Sequence, residues 1–407
     1  MHLHFGHQLA EVDPADRSSH RRNADLEHLA AFLFRFVADE RRIVELDRTE
    51  LVRRLGWARR LDLRFRHDFP VDERVYQPIS GTVAEIEAAL EVFVGGYLAL
   101  VGTSGSGKST TLTQMLRYRP GHRVIRYYAF VRGDTAQGRG EAAAFLSDMT
   151  LAIRRSGVDA PGSTATLPET RSELAELFGC QLAALHEEWR ANGTRTLIFI
   201  DGLDHIEREQ RPEHSLVDVL PPPSQVPDGV LIILGSQSIG LRGLPARTKG
   251  QLEEPGRTLT MQRLERRDVI GIATSSLSGD AMSDVDLEAV WRASAGHPLA
   301  LAYLLQRLAL APDNDARRAV LEVIAPFEGE IEQDYRSHWD TLRDDADLRD
   351  LMGLLCRLRG SIDLDLLASL TSEAVLERFV AGAAHFFTMR APAVGRFSIT
   401  VSGSICS

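Results

Sequence analysis

Between about residues 83 and 236 the chain alternates two hydrophobic rhythms. Short, nearly unbroken apolar runs recur: Tyr97-Leu98-Ala99-Leu100-Val101, the stretch from Arg123 to Val131, Thr196-Leu197-Ile198-Phe199-Ile200-Asp201, and Gly229 to Gly235. Between them lie stretches with apolar positions at helical spacing: Val83 to Val94, Ser109 to Arg117, Glu141 to Arg155 and Glu169 to Arg190. Strands apolar on both faces, alternating with helices, predict an α/β fold whose parallel sheet is covered on both sides. Upstream, Leu26, Leu29, Ala30, Leu33, Phe34 and Val37 share one helical face, and a second short helix starts at Asp47. Downstream of Leu259 the pattern turns helical, with Leu264, Val269, Ile272, Leu287, Val290 and the run Leu299 to Leu310. From Asp347 a strong helix, a glycine stop at Gly360, shorter helices and a β-like end predict a winged-helix-like domain. The expected organisation is an N-terminal helical, arginine-rich segment (1–70), the sheet domain (71–257), a helical lid (258–345), the winged-helix-like domain (346–401) and a short tail (402–407).

The first apolar run leads directly into Gly102-Thr103-Ser104-Gly105-Ser106-Gly107-Lys108-Ser109, a complete G-x-x-x-x-G-K-[ST] loop. Strand, glycine-rich loop and helix is the context in which this spacing binds phosphate. The glycines let backbone N–H groups converge on an anion, and the helix N-terminus adds partial positive charge there. Lys108 is then expected on the β- and γ-phosphates, the Ser109 hydroxyl on Mg²⁺, and Thr110 beside them.

Composition sharpens this reading. Of 47 basic residues only Lys108 and Lys249 are lysine. A chain that uses arginine almost everywhere keeps a compact ammonium where a planar guanidinium fits poorly. The formal charge of −10 gives no global sign of nucleic-acid binding. Arg53 to His67 forms a local basic patch, read first as a solvated face and second as a contact for nucleic acid or an acidic partner. The three cysteines, Cys180, Cys356 and Cys406, lie far apart and fit a reducing cytoplasm rather than a disulfide framework. Residues 1 to about 22 read as a frayed polar terminus, His2, His4 and His7 included, with no secretory pattern. No apolar run approaches membrane-spanning length.

The third apolar run ends in an acid, which fits a Walker B strand delivering a carboxylate to the Mg²⁺ shell at the sheet's C-terminal edge. Asp201 is that acid. Asp204, three residues on, is placed to polarise an attacking water; a helix N-cap is the alternative role.

The run Ile200-Asp201-Gly202-Leu203-Asp204-His205 resembles the extended Walker B of the STAND class of P-loop NTPases, especially its NACHT-like branch, which is related to AAA+ ATPases. Leu234-Gly235-Ser236-Gln237 is similar to the sensor-1 position of that class. Ser294-Ala295-Gly296-His297-Pro298-Leu299 resembles its G-x-P lid motif. The likeness covers about residues 75 to 395. It implies an ASCE-type P-loop fold followed by a helical lid and winged helix. Ser236 and Gln237 would lie near the γ-phosphate, Pro298 beside adenine and His297 near the phosphates. Val75 to Ile79 stands where such proteins pack on the base. Two positions depart from the pattern: His205 stands for a second acid, and Ser236 and Gln237 for an arginine.

The resemblance implies ATP and ADP as ligands with Mg²⁺, slow hydrolysis by Asp204 and Lys108, and a conformational switch. ADP would hold the closed form, and ATP would permit homo-oligomerisation, with the protein trigger and effector open. Two alternatives stand beside it: an origin-recognition-like AAA+ ATPase that associates with DNA, and a nucleotide-binding scaffold that does not hydrolyse. STAND proteins usually carry a sensor array after the winged helix, so the ending after Val401 is expected to mark a truncated product or a member that senses through another chain.

Overall fold

The computed structural model describes residues 29–35, 51, 55, 67–71, 76–117, 119–131, 138–158, 160, 167–168, 170–277, 283–311, 313–324, 326–327, 343–357, 361–363, 367, 369–382, 388–390 and 398–400. The tail and the histidines at the N-terminus lie outside these residues. The chain divides into two compact units, one of residues 1–64 with 165–167, the other of the remainder. In the first, residues 29–35 are helical. Leu29 and Leu55 are buried there against Phe32, Leu33 and Leu51.

The second unit is built on a five-stranded parallel sheet. Its elements run α1 (Ser80–Val92), β1 (Gly96–Val101), α2 (Lys108–Met115), β2 (His122–Tyr128), α3 (Ala142–Arg155), α4 (Arg171–Asn192), β3 (Arg195–Asp201), β4 (Val230–Ser236), α5 (Ala246–Leu252) and β5 (Thr258–Thr260). The strand order is β2-β3-β4-β1-β5. Each pairing is parallel, including Gly96 with Leu231 and Thr196 with Val230. β4 therefore lies between the strand that carries the phosphate-loop motif and the strand that ends in Asp201. That order is the ASCE form of the P-loop fold, as the sequence predicts. The three central strands are buried along almost their whole length, which requires helices on both faces. β5, three residues at the sheet edge against β1, is too short to leave a periodic signal and was not expected.

Local signals explain the helix boundaries. Thr170 and Glu173 form a reciprocal capping box at the start of α4, and Gly193 closes it in the left-handed conformation. After β5 come α6 (Arg266–Ser276), α7 (Asp284–Ser294), α8 (Pro298–Leu310) and α9 (Asn314–Val323). Ser283 and Asp286 cap α7 in the same reciprocal manner. Leu264, Val269, Ile272, Leu301, Leu304 and Leu308 join one buried cluster with Leu100, Leu112 and Ile233 of the sheet region. The helices are thus packed into the same core as the sheet. Further on, α10 (Ala346–Arg357) and α11 (Glu373–Gly382) pack together. A separate antiparallel sheet of β6 (Ser361–Asp363), β7 (Thr388–Arg390) and β8 (Ser398–Thr400) has the order β6-β8-β7. No helix among the described residues is long and apolar enough to cross a membrane.

Candidate nucleotide site

The glycine-rich loop leaves the C-terminal end of β1 and enters α2 at Lys108. Gly105 and Gly107 take positive φ, +74° and +94°, where a side chain would be strained. The Gly102 N–H donates to the Ser236 carbonyl at 3.3 Å, tying the loop to the end of β4. Lys108 is buried and folds back over the loop, its Nζ donating to the carbonyls of Gly102 (2.8 Å) and Thr103 (3.1 Å). Burial lowers its pKa, against the pull of Asp204 and Asp201. Ser106 is buried too, and its Oγ has no hydrogen-bond partner among the described residues.

Asp201 ends β3 fully enclosed, and burial pushes its carboxyl up to about 6. A hydrogen bond with the Ser109 side chain, the Lys108 charge and the Gly202 backbone oppose the shift. The two residues expected to hold Mg²⁺ therefore already touch. Their hydroxyl and carboxylate are the hard oxygen donors this ion takes. The unpaired Ser106 Oγ and Ser236 Oγ add polar atoms for the ion's waters or a phosphate. On these grounds the site fits Mg²⁺.

Register explains how Asp201 finds room. Ile200 pairs with Leu234, so Asp201 comes opposite Gly235. A Cβ on Gly235 would overlap Asp201 Oδ1. Glycine weakens a strand interior and often marks a close approach. Here the close approach is the carboxylate itself. In the sequence Gly235 shows only as the glycine that follows the run Val230-Leu231-Ile232-Ile233-Leu234.

The turn after β3 carries Asp204, which accepts a hydrogen bond from Gln237 Nε2 at 2.9 Å. His205 Nε2 lies 3.5 Å from the same carboxylate oxygen, and its ring stacks on Phe130 with centroids 3.9 Å apart. Gln237 thus reaches the acid of the neighbouring strand. Ser236 remains buried with its hydroxyl unpaired among the described residues.

The lid reaches the loop through the start of α8. Gly296 takes φ +71°, and a Cβ there would meet the Leu264 carbonyl and Trp291. His297 caps the helix: its Nδ1 accepts the Ala300 N–H at 3.3 Å. Nε2 lies 3.5 Å from Thr103 Oγ1, and the imidazole also bonds the Ser104 backbone. Burial, reinforced by Arg263, lowers the His297 pKa to about 4, so the ring is neutral near pH 7. Leu299 N–H donates to the Gly105 carbonyl at 3.3 Å, and Pro298 sits over Gly107. The structure therefore brings His297 and Pro298 to the loop, with Leu299 as a contact the motif did not single out.

Beside the loop a cavity of about 390 Å³ opens between α2 and the lid. Tyr76, Gln77 and Ile79 line it from the chain preceding α1, Thr110 and Thr111 from α2, and Pro298 and Leu301 from α8. Pro70, Val71, Leu264 and Ser276 also line it. Val75 lies outside the described residues.

No protein-family model matches the chain, and a search of curated proteins finds no match. Among solved structures, Cdc6p from Pyrobaculum aerophilum is similar at 14% identity, covering 82% of this chain and 94% of that one, with a TM-score of 0.39. The Aeropyrum pernix ORC2 protein, described with ADPNP and ADP, is similar at 13% identity over 82% and 94%, with a TM-score of 0.40. Drosophila ORC bound to DNA is similar at 14% over 98% and 95%, with a TM-score of 0.38.

Proposed function

We propose that this protein binds ATP and ADP with Mg²⁺ and works as a nucleotide-operated switch that hydrolyses ATP slowly. The observation that carries this reading is the seating of the lid on the phosphate loop, through Leu299 on Gly105 and His297 at Thr103. A triphosphate entering the loop must draw Lys108 off the carbonyls of Gly102 and Thr103. A lid that touches the same loop feels that change, and only such differential contact lets a ligand shift a conformational equilibrium. Ser109 and Asp201 would hold Mg²⁺, which when bound screens the β- and γ-phosphate charges. Asp204, steadied by Gln237, would accept the proton of the attacking water. The cavity lined by Tyr76, Gln77 and Pro298 would take the base.

The STAND-like motifs supply the finer form of this proposal. The ADP state would be closed, exchange for ATP would free the lid and the 346–401 module, and the freed form would assemble with copies of itself. A protein trigger and a signalling, regulatory or defence effector follow from that class, within a cytoplasmic setting. Calorimetry of ATP and ADP against wild type and Lys108→Ala tests the site: the variant should lose tight binding of both. Equal affinities reject it. Phosphate release from wild type separates a switch that hydrolyses from a scaffold that does not.

A second reading, an origin-recognition-like AAA+ ATPase that associates with DNA, is favoured by the module after α9. There two packed helices alternate along the chain with the strands of a three-stranded antiparallel sheet, an order compatible with a winged helix. One of the similar structures, Drosophila ORC, is described as bound to DNA. This reading needs a basic surface on the module, whereas Arg343 to Thr371 is mixed in sign, with Asp344, Asp345, Asp347, Asp350, Asp363 and Asp365. Salt-dependent DNA binding decides between the two, since phosphate contacts impose a steep salt slope.

A further inference from the structure

A buried polar cluster centred on His67 and Asp148 lies outside the phosphate loop, the acids and the lid. His67 lies just before Pro70 and Val71, which form part of the cavity wall. Its side chain is almost entirely buried. Nδ1 accepts the backbone N–H of Tyr128 at 3.2 Å. The ring proton therefore sits on Nε2, which donates to Asp148 Oδ2 at 2.9 Å. Asp148 belongs to α3 and is itself buried. Two residues on, Phe69 stacks on the Tyr128 ring with centroids 5.6 Å apart. Tyr128 in turn shares a 2.6 Å hydrogen bond with Thr113 of α2, whose hydroxyl donates to the Ser109 carbonyl at 2.5 Å.

Residues 67 and 69 thus pin an otherwise irregular segment to β2 and α3, while 70 and 71 face the cavity. The segment has no regular backbone pairing of its own. Its position is set by side-chain anchors, and losing one leaves buried partners unsatisfied. We propose that His67 is a positioning residue for the base-binding wall: bonded to Asp148 and Tyr128, it holds Pro70 and Val71 where the nucleoside half of the ligand packs. This rests on the reading of the cavity as the base pocket. A residue that only supports the fold would affect every ligand alike. His67 should affect the nucleoside half alone, because the phosphate loop keeps its own anchors on β1 and β4.

The test compares ATP with inorganic tripolyphosphate, which carries the phosphates without a base. Wild type should bind ATP more tightly. In His67→Phe the ring stays and both hydrogen bonds go; ATP affinity should fall about tenfold, with tripolyphosphate affinity unchanged. Asp148→Asn keeps an acceptor for Nε2–H and should match wild type. In wild type, ATP should slow hydrogen exchange at Phe69 and Val71 where tripolyphosphate does not, a readout that needs no variant to fold. If wild type does not prefer ATP, the base-pocket reading falls and this inference with it. If wild type prefers ATP but His67→Phe keeps the preference, or both ligands protect 69 and 71 equally, only the role of His67 is overturned.

Discussion

Leu299 at the start of α8 sits directly against Gly105 in the phosphate loop. Its backbone N–H donates to the Gly105 carbonyl, and its Cβ lies 2.6 Å from where a Cβ on residue 105 would stand. The absence of a side chain at 105 is what lets the lid reach the loop. Gly105 is also held at positive φ, so it serves the loop's turn and the lid's approach at once.

Leu299→Ala should therefore loosen the lid without altering the loop. Losing the branched side chain should weaken docking by about 1–2 kcal/mol, the scale for a partly buried leucine. ADP should leave several-fold faster, read by stopped-flow release of a fluorescent analogue. An unchanged release rate would show that the contact does not couple lid to nucleotide.

Gly235→Ala tests how Asp201, the acid proposed to hold Mg²⁺, is aimed. The methyl would overlap Asp201 Oδ1, so the carboxylate must turn away from Ser109. Nucleotide binding in EDTA should persist, while the extra affinity conferred by Mg²⁺ should shrink toward that of Asp201→Ala. Calorimetry with and without the metal reads both. A glycine needed only for strand packing would lower melting temperature and leave the Mg²⁺ increment intact.

Part of this arrangement is legible in the sequence alone. The phosphate loop and the β3 acid are local in sequence, since their chemistry needs fixed spacing within one turn. His297 and Pro298 are legible through the likeness of Ser294-Ala295-Gly296-His297-Pro298-Leu299 to a lid motif. Gly235, Leu299 and His67 act across the chain. Gly235 matters only through its strand neighbour, Leu299 only through a loop nearly two hundred residues away, and His67 through Asp148 of α3. No spacing rule links such partners; only the register of the sheet and the packing of α8 and α3 do. The edge strand β5 was missed for a different reason, being three residues long.

Asp204 and Gln237 should behave as one unit. Asp204→Asn should leave nucleotide binding within about twofold and slow phosphate release by about 10²-fold or more, the scale of a lost general base. Gln237→Leu removes the hydrogen bond that orients the carboxylate and should slow release as well. The double variant should be little slower than Asp204→Asn alone, because groups that act together are not additive. Additive losses would mean that Gln237 contacts the phosphate on its own account.

His297 gives lid docking a definite pH dependence. Its pKa in the docked lid is about 4, below the ordinary 6.5, because burial and Arg263 disfavour the charged ring. The neutral form is the docked form, so its contribution is fully present above pH 6.5 and is lost as pH falls toward 4. The displacement is worth roughly 3 kcal/mol across that window. The geometry gives the same sign: Nδ1 must accept the Ala300 N–H to cap α8, and a protonated Nδ1 cannot. ADP release should quicken as pH drops from 6.5 toward 4. His297→Ala should release ADP faster at every pH, with a smaller effect on ATP. His297→Asn keeps a side-chain acceptor for the cap and does not titrate, so its profile should be flatter than that of wild type, the slope that remains being that of Asp201, whose carboxyl is pushed up to about 6. If wild type and His297→Asn follow parallel pH profiles, some other group controls the lid.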